Sequence, residues 1–127
     1  MRVMLDTNAY SALMRGDAAT AEFIAHADEV LLPTPALAEL RAGFRAGNRE
    51  SENIDVLVRF LSSSRVRVHP LGESTAIFYA EVHGALRKAG TPIPTNDLWI
   101  AAAALESGSI LVSNDAHFDV ITGLVRE

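Results

Sequence analysis

The chain of 127 residues contains no cysteine and only one lysine, and its acidic residues outnumber its basic ones by 16 to 11. Without cysteine it has no disulfide framework, no thiolate metal site and no cysteine nucleophile, and a reducing, cytoplasmic location is expected. The formal net charge of −5 argues against a protein whose affinity for nucleic acid comes from a broadly basic surface.

Long apolar runs and glycine-rich motifs are absent as well. The longest apolar run, Leu98 to Leu105, has eight residues, and Asp6 interrupts the apolar start of the chain. Neither a membrane span nor a secretory signal is therefore expected. No glycine pattern typical of a phosphate-binding loop or a dinucleotide-binding turn follows any predicted strand.

The histidines include no pair at helical metal-ligand spacing, so surface or core roles are expected for them instead of a zinc site. They are His26, His69, His83 and His117. The segment Gly72 to Ala76 faintly resembles a nucleophile elbow but ends in alanine instead of glycine, and we interpret it as a loop and helix cap.

A hydrophobic content of 49% and a length of 127 residues favour one folded domain that spans residues 1–127. Continuous apolar runs predict buried strands, with weaker strand character at 124–125; the runs are 3–5, 30–32, 66–68 and 110–112. Helical patterns separate them. This alternation predicts an α/β fold with a parallel sheet of about four to five strands, covered by helices on both faces.

Helix boundaries follow from breakers and capping residues. A short helix after Asp6 ends at Gly16, and Thr34 and Asn96 are predicted to cap later helices. The predicted helices cover residues 18–27, 35–47, 50–63, 74–88 and 96–106. Trp99 and Ile100 are expected in the core.

Acidic residues occupy comparable points of this architecture. Asp6 follows the first strand, Asp115 follows the fourth, and Asp97 opens the helix that leads into the fourth strand. In a parallel sheet all three lie at the carboxyl edge, where open α/β folds bind ligands. Glu39 lies about one turn into the helix after the second strand, where Gly43 leaves room beside it.

Each acid also has an ordinary structural explanation. Asp97 suits the first turn of a helix because it interacts favourably with the helix dipole, and Glu39 suits a solvated helix face. Asp6 and Asp115 are harder to explain this way unless they cap a helix or bind a ligand. Taken together, the four acids favour a shared site.

Carboxylates that converge on one edge repel one another, and a divalent cation removes that conflict. Oxygen ligands suit Mg²⁺ or Mn²⁺, and the chemistry that fits is phosphodiester hydrolysis. Six of the eleven basic residues fall between Arg41 and Arg67, which predicts either a local phosphate-binding surface or an ordinary ion-paired helix face.

Four segments of the sequence resemble the PIN-domain ribonucleases, and among them the toxins of VapBC-type toxin-antitoxin pairs. The segments occur in the family's order and are distributed over nearly the whole chain; they are Leu5–Asn8, Pro35–Leu40, Asn96–Ala102 and Val112–Phe118. The family often has threonine where Ser113 stands, a difference that keeps the hydroxyl group.

The resemblance implies a metal site of Asp6, Glu39, Asp97 and Asp115. Supporting polar groups would come from Thr7, Asn8, Ser113 and Asn114, with Asp119 as a possible fifth acid or a cap of the following turn. It further implies a Mg²⁺- or Mn²⁺-dependent endoribonuclease, usually a homodimer, that is inhibited by an antitoxin and reaches DNA only through that antitoxin.

We therefore predict that an RNA phosphodiester binds to one or two metal ions held by Asp6, Asp97 and Asp115, with Glu39 as a ligand or a water-orienting group. A catalytically silent binding module of the same fold is one alternative. A receiver-like signalling domain is another, although it needs a lysine among the acids, and the only lysine is Lys88 near the end of a long helix.

Overall fold

The computed structural model describes all 127 residues. Its four strands are β1 (Arg2–Leu5), β2 (Glu29–Pro33), β3 (Val66–His69) and β4 (Ile110–Val112). Its six α-helices are α1 (Thr7–Met14), α2 (Ala18–Ala25), α3 (Thr34–Ala46), α4 (Glu50–Leu61), α5 (Glu73–Ala89) and α6 (Thr95–Ser107). A 3₁₀ turn, Ala116–Val120, follows β4.

All four strands are parallel, and their order in the sheet is β3-β2-β1-β4. Along the chain, β2 and then β3 are added on one side of β1, and β4 is then added on the other side of β1. Parallel crossovers are right-handed, so α1 to α4 cover one face and α5 and α6 cover the other. The predicted parallel α/β fold is confirmed, and its topological switch point lies between β1 and β4.

A short segment at the end of the chain adds a partial fifth strand. Leu111 donates to the carbonyl of Val125 at 2.9 Å, and Glu127 donates back to the carbonyl of Leu111 at 2.9 Å. These bonds form an isolated parallel bridge between Leu111 and Arg126. The predicted strand character at 124–125 therefore lies one to two residues too early, and four full strands plus one bridge match the predicted sheet of about four to five.

Two predicted helix caps are wrong, the cap of α3 by one residue and the cap of α6 by two. The α3 helix begins at Thr34 with Pro33 in the capping position, and α6 begins at Thr95 with Pro94 in the capping position. Proline favours the extended backbone of a helix entry, and it moves each start one residue toward the N-terminus. Asn96 is therefore inside the first turn of α6 and not its cap.

The core lies on both sides of β1 and β2, whose inner residues are almost fully buried. On the far face, Ala101–Ala104 of α6 are at most 1% exposed. Alanine side chains let a helix approach closely, so this run fixes α6 against its neighbours. Ile100 is buried as predicted, whereas Trp99 is only half-buried and packs on Tyr79 with ring centroids 4.2 Å apart. No helix is long and apolar enough to cross a membrane.

The helices α5 and α6 run antiparallel and are joined by a polar network at one end. Thr75, fully buried near the start of α5, donates to Glu106 near the end of α6 at 2.8 Å. His69 at the end of β3 contacts the same Glu106 oxygen at 2.8 Å. Thr75 also accepts from the backbone of Gly72 at 3.0 Å, which confirms this segment as a loop and helix cap.

We expect Glu106→Gln to lower the free energy of unfolding by about 1–3 kcal/mol, because it weakens two bonds to a charged and mostly buried acceptor. Burial alone would raise the pKa of Glu106, but hydrogen bonds from His69, Thr75 and Ser74 hold that pKa below its ordinary value of 4.5. Its contribution is therefore present above pH 4.5 and is lost as the pH falls through the lower folded-state pKa.

Urea unfolding of the wild type and the variant at several pH values measures this difference. Glu81→Gln, on the exposed face of α5, is the matched control and should change stability by less than about 0.5 kcal/mol. An equal effect of both substitutions would contradict the proposed role of the network.

Candidate metal centre

Asp6 stands at the switch point, immediately after β1, and is 4% exposed. One carboxylate oxygen accepts from the backbone N–H of Ala9 at 2.7 Å, so Asp6 is the N-cap of α1. The other oxygen accepts from the hydroxyl of Ser113, which follows β4. Because Leu5 and Val112 are partners in the β1–β4 register, the parallel sheet brings Asp6 and Ser113 together although 107 positions separate them.

A continuous hydrogen-bonded path leads from Asp6 to the other acids. The Ser113 hydroxyl, which donates to Asp6, accepts from the backbone N–H of Asp115 at 3.0 Å. Asp115 Oδ1 accepts from the backbone N–H of His117 at 2.9 Å and so caps the 3₁₀ turn. His117 Nδ1 lies 2.8 Å from Asp97 Oδ2 and 3.2 Å from Asp115 Oδ1. One ligand atom from each of Asp97, Asp115 and His117 lies within 4.8 Å of the other two.

His117 is the residue that the sequence interpretation missed. A surface or core role was expected for every histidine; His117 is exposed at the surface, and its imidazole also lies between two of the predicted acids. The rule of helical spacing between ligand histidines does not detect such a residue, since its partner Asp97 is 20 positions away. Its position two residues after the predicted ligand Asp115 is the signal that would have found it.

Glu39 reaches the same edge of the sheet from α3. Its carboxylate is half-buried and accepts from Nδ2 of Asn96 at 3.2 Å. A β-carbon added at Gly43 would meet no atom within 4 Å, Glu39 included, so the space there does not depend on glycine. The hydrogen bond from Asn96 thus links Glu39 of α3 to the first turn of α6, which also carries Asp97.

Burial raises the pKa of Asp6 most strongly. Hydrogen bonds from Ser113 and Ala9 oppose that rise, and the negative charges of Asp115 and Asp97 add to it. The direction of the shift identifies Asp6 as a carboxylate in a crowded acidic environment with little water. A bound cation would favour its ionised form.

The predicted supporting residues separate into two groups. Ser113 takes part in the network, and the hydroxyl of Thr7 is buried without a hydrogen-bond partner. Asn8 and Asn114 are exposed and line an adjacent cavity of about 290 Å³. Asp119 is exposed and forms an ion pair with Arg126 at 2.7 Å, and it lies outside the cluster of Asp97, Asp115 and His117.

The residues present fit a hard divalent cation. Carboxylate oxygens from two chain segments converge with an imidazole nitrogen, and a third carboxylate with little exposure adjoins them. Mg²⁺ and Mn²⁺ prefer such oxygen donors, and Mn²⁺ also accepts imidazole. The unpartnered hydroxyl of Thr7, next to Asp6, is a further donor that the protein itself leaves unsatisfied.

The acids lie at the switch point of a parallel α/β domain, which is where open α/β folds bind their ligands. The family model of the PIN domain matches residues 3–124. The chain is 33% identical over 132 aligned positions to Ribonuclease VapC1 of Haemophilus influenzae (strain R2866), with 98% of this chain and 95% of that protein covered.

Two solved structures resemble the chain over its full length. VapBC-1 from nontypeable Haemophilus influenzae superposes with a TM-score of 0.88 at 30% identity and covers 100% of this chain and 97% of its own. VapBC2 from Rickettsia felis, bound to a DNA fragment from its promoter, superposes with a TM-score of 0.87 at 28% identity, covering 100% and 98%. The chain therefore belongs to the PIN-domain family and groups with its VapC members.

We expect the charge and the capping role of Asp6 to be separable in metal-free protein. Asp6→Asn keeps an oxygen for the Ala9 N–H and removes the repulsion from Asp97 and Asp115, so it should be at least as stable as the wild type in EDTA. Asp6→Ala loses the cap and should be less stable than Asp6→Asn by about 1 kcal/mol. Urea unfolding measures both.

Asp17 provides the matched pair, because it caps α2 through Thr20 on an exposed surface. Asp17→Ala should show the loss of the cap, whereas Asp17→Asn should bring no gain in stability. Strong destabilisation by Asp6→Asn would show instead that the negative charge itself is required for folding.

Proposed function

We propose that this protein is a metal-dependent endoribonuclease, the toxin of a VapBC-type pair. The observation that carries the proposal is the cluster of Asp97, Asp115 and His117 beside the buried Asp6, in a chain whose relatives are named VapC ribonucleases. The reaction is hydrolysis of an RNA phosphodiester bond.

The chain's own residues have distinct parts in this reaction. Asp97 and Asp115 would hold the cation, and the buried Asp6 beside them adds negative charge to the site. A bound Mg²⁺ or Mn²⁺ supplies a water of lowered pKa and stabilises charge on the phosphate. Glu39, positioned by Asn96, acts as a further ligand or orients the attacking water.

Positive charge for RNA comes from a small set of arginines. Within the segment 41–67, Arg49 pairs with Glu52 and Arg67 pairs with Glu29, and Arg65 donates to two backbone carbonyls. The remaining three have no hydrogen bond or ion pair and are exposed; they are Arg41, Arg45 and Arg59. The first two lie on α3 with Glu39, so they are the phosphate contacts we propose for this segment.

The proposed partner is a cognate antitoxin. The solved relatives are VapBC complexes, and one of them is bound to promoter DNA. We propose that this chain likewise binds an antitoxin, which neutralises it and makes the contacts to DNA, and that the chain itself forms a homodimer. The formal charge of −5 agrees with indirect DNA binding, because the chain itself offers no broad basic surface.

The alternatives make different predictions. A receiver-like domain needs a lysine at the acids, but Lys88 forms no hydrogen bond or ion pair with any carboxylate, and membership of the PIN-domain family argues against that fold. A silent binding module would bind metal with no turnover on any RNA.

We expect cleavage of single-stranded RNA by the purified protein in Mg²⁺ or Mn²⁺, and its loss in EDTA. Asp97→Asn and Asp115→Asn should each reduce the rate by about 100-fold or more, since removal of even an indirect metal contact costs roughly 10- to 100-fold. Denaturing gel electrophoresis of end-labelled RNA measures the rates.

Asp119→Asn is the matched control, because it removes an acid from the same turn but outside the cluster. It should cleave at close to the wild-type rate. Cleavage that resists EDTA and survives both cluster substitutions would overturn the mechanism, and metal binding by calorimetry without any cleavage would favour the silent module.

We expect the tagged chain, expressed from its native operon, to co-purify with a small protein that binds the operon's promoter DNA. Asp97→Asn should co-purify with the same partner, because it removes one charge without changing the fold. Mass spectrometry and a DNA mobility shift identify the partner. Recovery of the chain with no stoichiometric partner would contradict the toxin-antitoxin proposal while leaving ribonuclease activity open.

A further inference from the structure

A cavity of about 260 Å³ lies outside the acidic cluster, between the end of α5 and the start of α6. We propose that it binds one nucleobase of the RNA, next to the bond that is cleaved. This inference rests on the ribonuclease activity proposed above and names the residues that hold the substrate beside it: Tyr79, His83, Arg87 and Thr95.

The first turn of α6 connects the cavity to the acids. Successive helix residues point about 100° apart, so three consecutive residues of α6 face three different features of the molecule. Thr95 lines the cavity, Asn96 donates to Glu39, and Asp97 contacts His117. Thr95 and Asp97 are about 3 Å apart along the helix axis and point about 200° apart, so the cavity and the acids lie on two sides of one helix turn, and an RNA strand that crosses this turn reaches both.

Aromatic rings form one wall of this cavity. Tyr79 and His83 lie nearly parallel, with ring centroids 6.0 Å apart and an interplanar angle of 13°. Tyr79 also packs on Trp99, with ring centroids 4.2 Å apart, which holds the tyrosine ring in place. Proteins that bind single-stranded RNA stack bases on fixed aromatic or imidazole rings of this kind.

The charge of the lining favours RNA. None of the eight lining residues is acidic, although the chain carries 16 acids. Arg87 is exposed and forms no hydrogen bond or ion pair, so its guanidinium group is available to a phosphate. Base binding and metal binding are therefore assigned to separate groups: the acid-free cavity with its unpaired arginine binds the base, and the acidic cluster beside it binds the metal.

The size of the cavity favours a single planar ring over a protein segment. Pockets for drug-sized molecules have about 300–1,000 Å³, and this cavity falls just below that range. Pro92, Ile93, Leu86 and Leu98 supply apolar contacts that a base face accepts. A helix of a partner protein needs a longer groove than this one.

Binding is measurable without cleavage, because Trp99 is the only tryptophan and lies behind Tyr79. We expect a short single-stranded oligoribonucleotide, added in EDTA, to change Trp99 fluorescence saturably. His83→Ala should weaken binding by about 10-fold because it removes a stacking ring, and Arg87→Gln should weaken it by about 10-fold because it removes the phosphate contact. Lys88→Gln removes a neighbouring charge of α5 that does not line the cavity and should have less than about a 2-fold effect.

A second measurement identifies the base. Substrates with a single abasic position, moved along the RNA, should show one position next to the cleaved bond at which removal of the base slows wild-type cleavage by about 10-fold. The same abasic substrate should be cleaved by His83→Ala no more slowly than the intact one. If removal of the base and the His83→Ala substitution slow cleavage by nearly additive amounts, the assignment of the base to this cavity is overturned.

The two proposals fail in different ways. Saturable fluorescence changes that depend on His83 and Arg87, without metal-dependent cleavage, would support the base site and overturn the ribonuclease. Cleavage with equal losses in Arg87→Gln and Lys88→Gln would keep the ribonuclease and overturn the base site in favour of diffuse charge. A change of oligomeric state in His83→Ala by light scattering would assign the cavity to an interface between two copies and overturn the base site.

Discussion

The repulsion between carboxylates at the β1–β4 switch point is the constraint on which the rest of the site depends. Asp6 is almost fully buried, and Asp115 and Asp97 raise its pKa further. The fold tolerates this because each acid has a fixed donor: a helix N-terminus and a serine hydroxyl for Asp6, a turn N–H for Asp115 and an imidazole for Asp97. These donors hold the acids in place, but they do not cancel the negative charge, and that remaining charge is the driving force for a divalent cation.

The position of α6 controls how closely the acids approach. Its buried alanines, Ala101–Ala104, bring the helix into close packing, and the network at Glu106 fixes its far end against α5 and β3. The packing of α6 several turns away therefore determines the position of Asp97. A residue at a helix start is usually free to move with its loop, whereas here proline at the entry and the Asn96–Glu39 bond restrain it from both sides.

Much of this arrangement could be predicted from the sequence, because it follows from periodicity and topology. Short apolar runs defined the strands, and parallel pairing alone requires Asp6 and Asp115 to share an edge. The cap of α6 was predicted wrongly because Asn96 suits a capping position locally, whereas the extended backbone of Pro94 starts the helix at Thr95 and leaves Asn96 free to contact Glu39. His117 was missed because its partner lies in another element, and no spacing rule along the chain reports that proximity.

The acidity of the chain now has a structural explanation. Without Asp6, Glu39, Asp97 and Asp115, twelve acids face eleven bases, so the excess negative charge is concentrated at one edge of the sheet. Of the arginines between 41 and 67, half are already engaged by acids or carbonyls. In the function proposed above, long-range attraction therefore contributes little to RNA binding, and affinity comes from contacts made at short range: the proposed cation, a few unpaired arginines and the proposed stacking surface. Such contacts depend on the conformation of the substrate, so this distribution of charge favours selection among RNAs over indiscriminate binding.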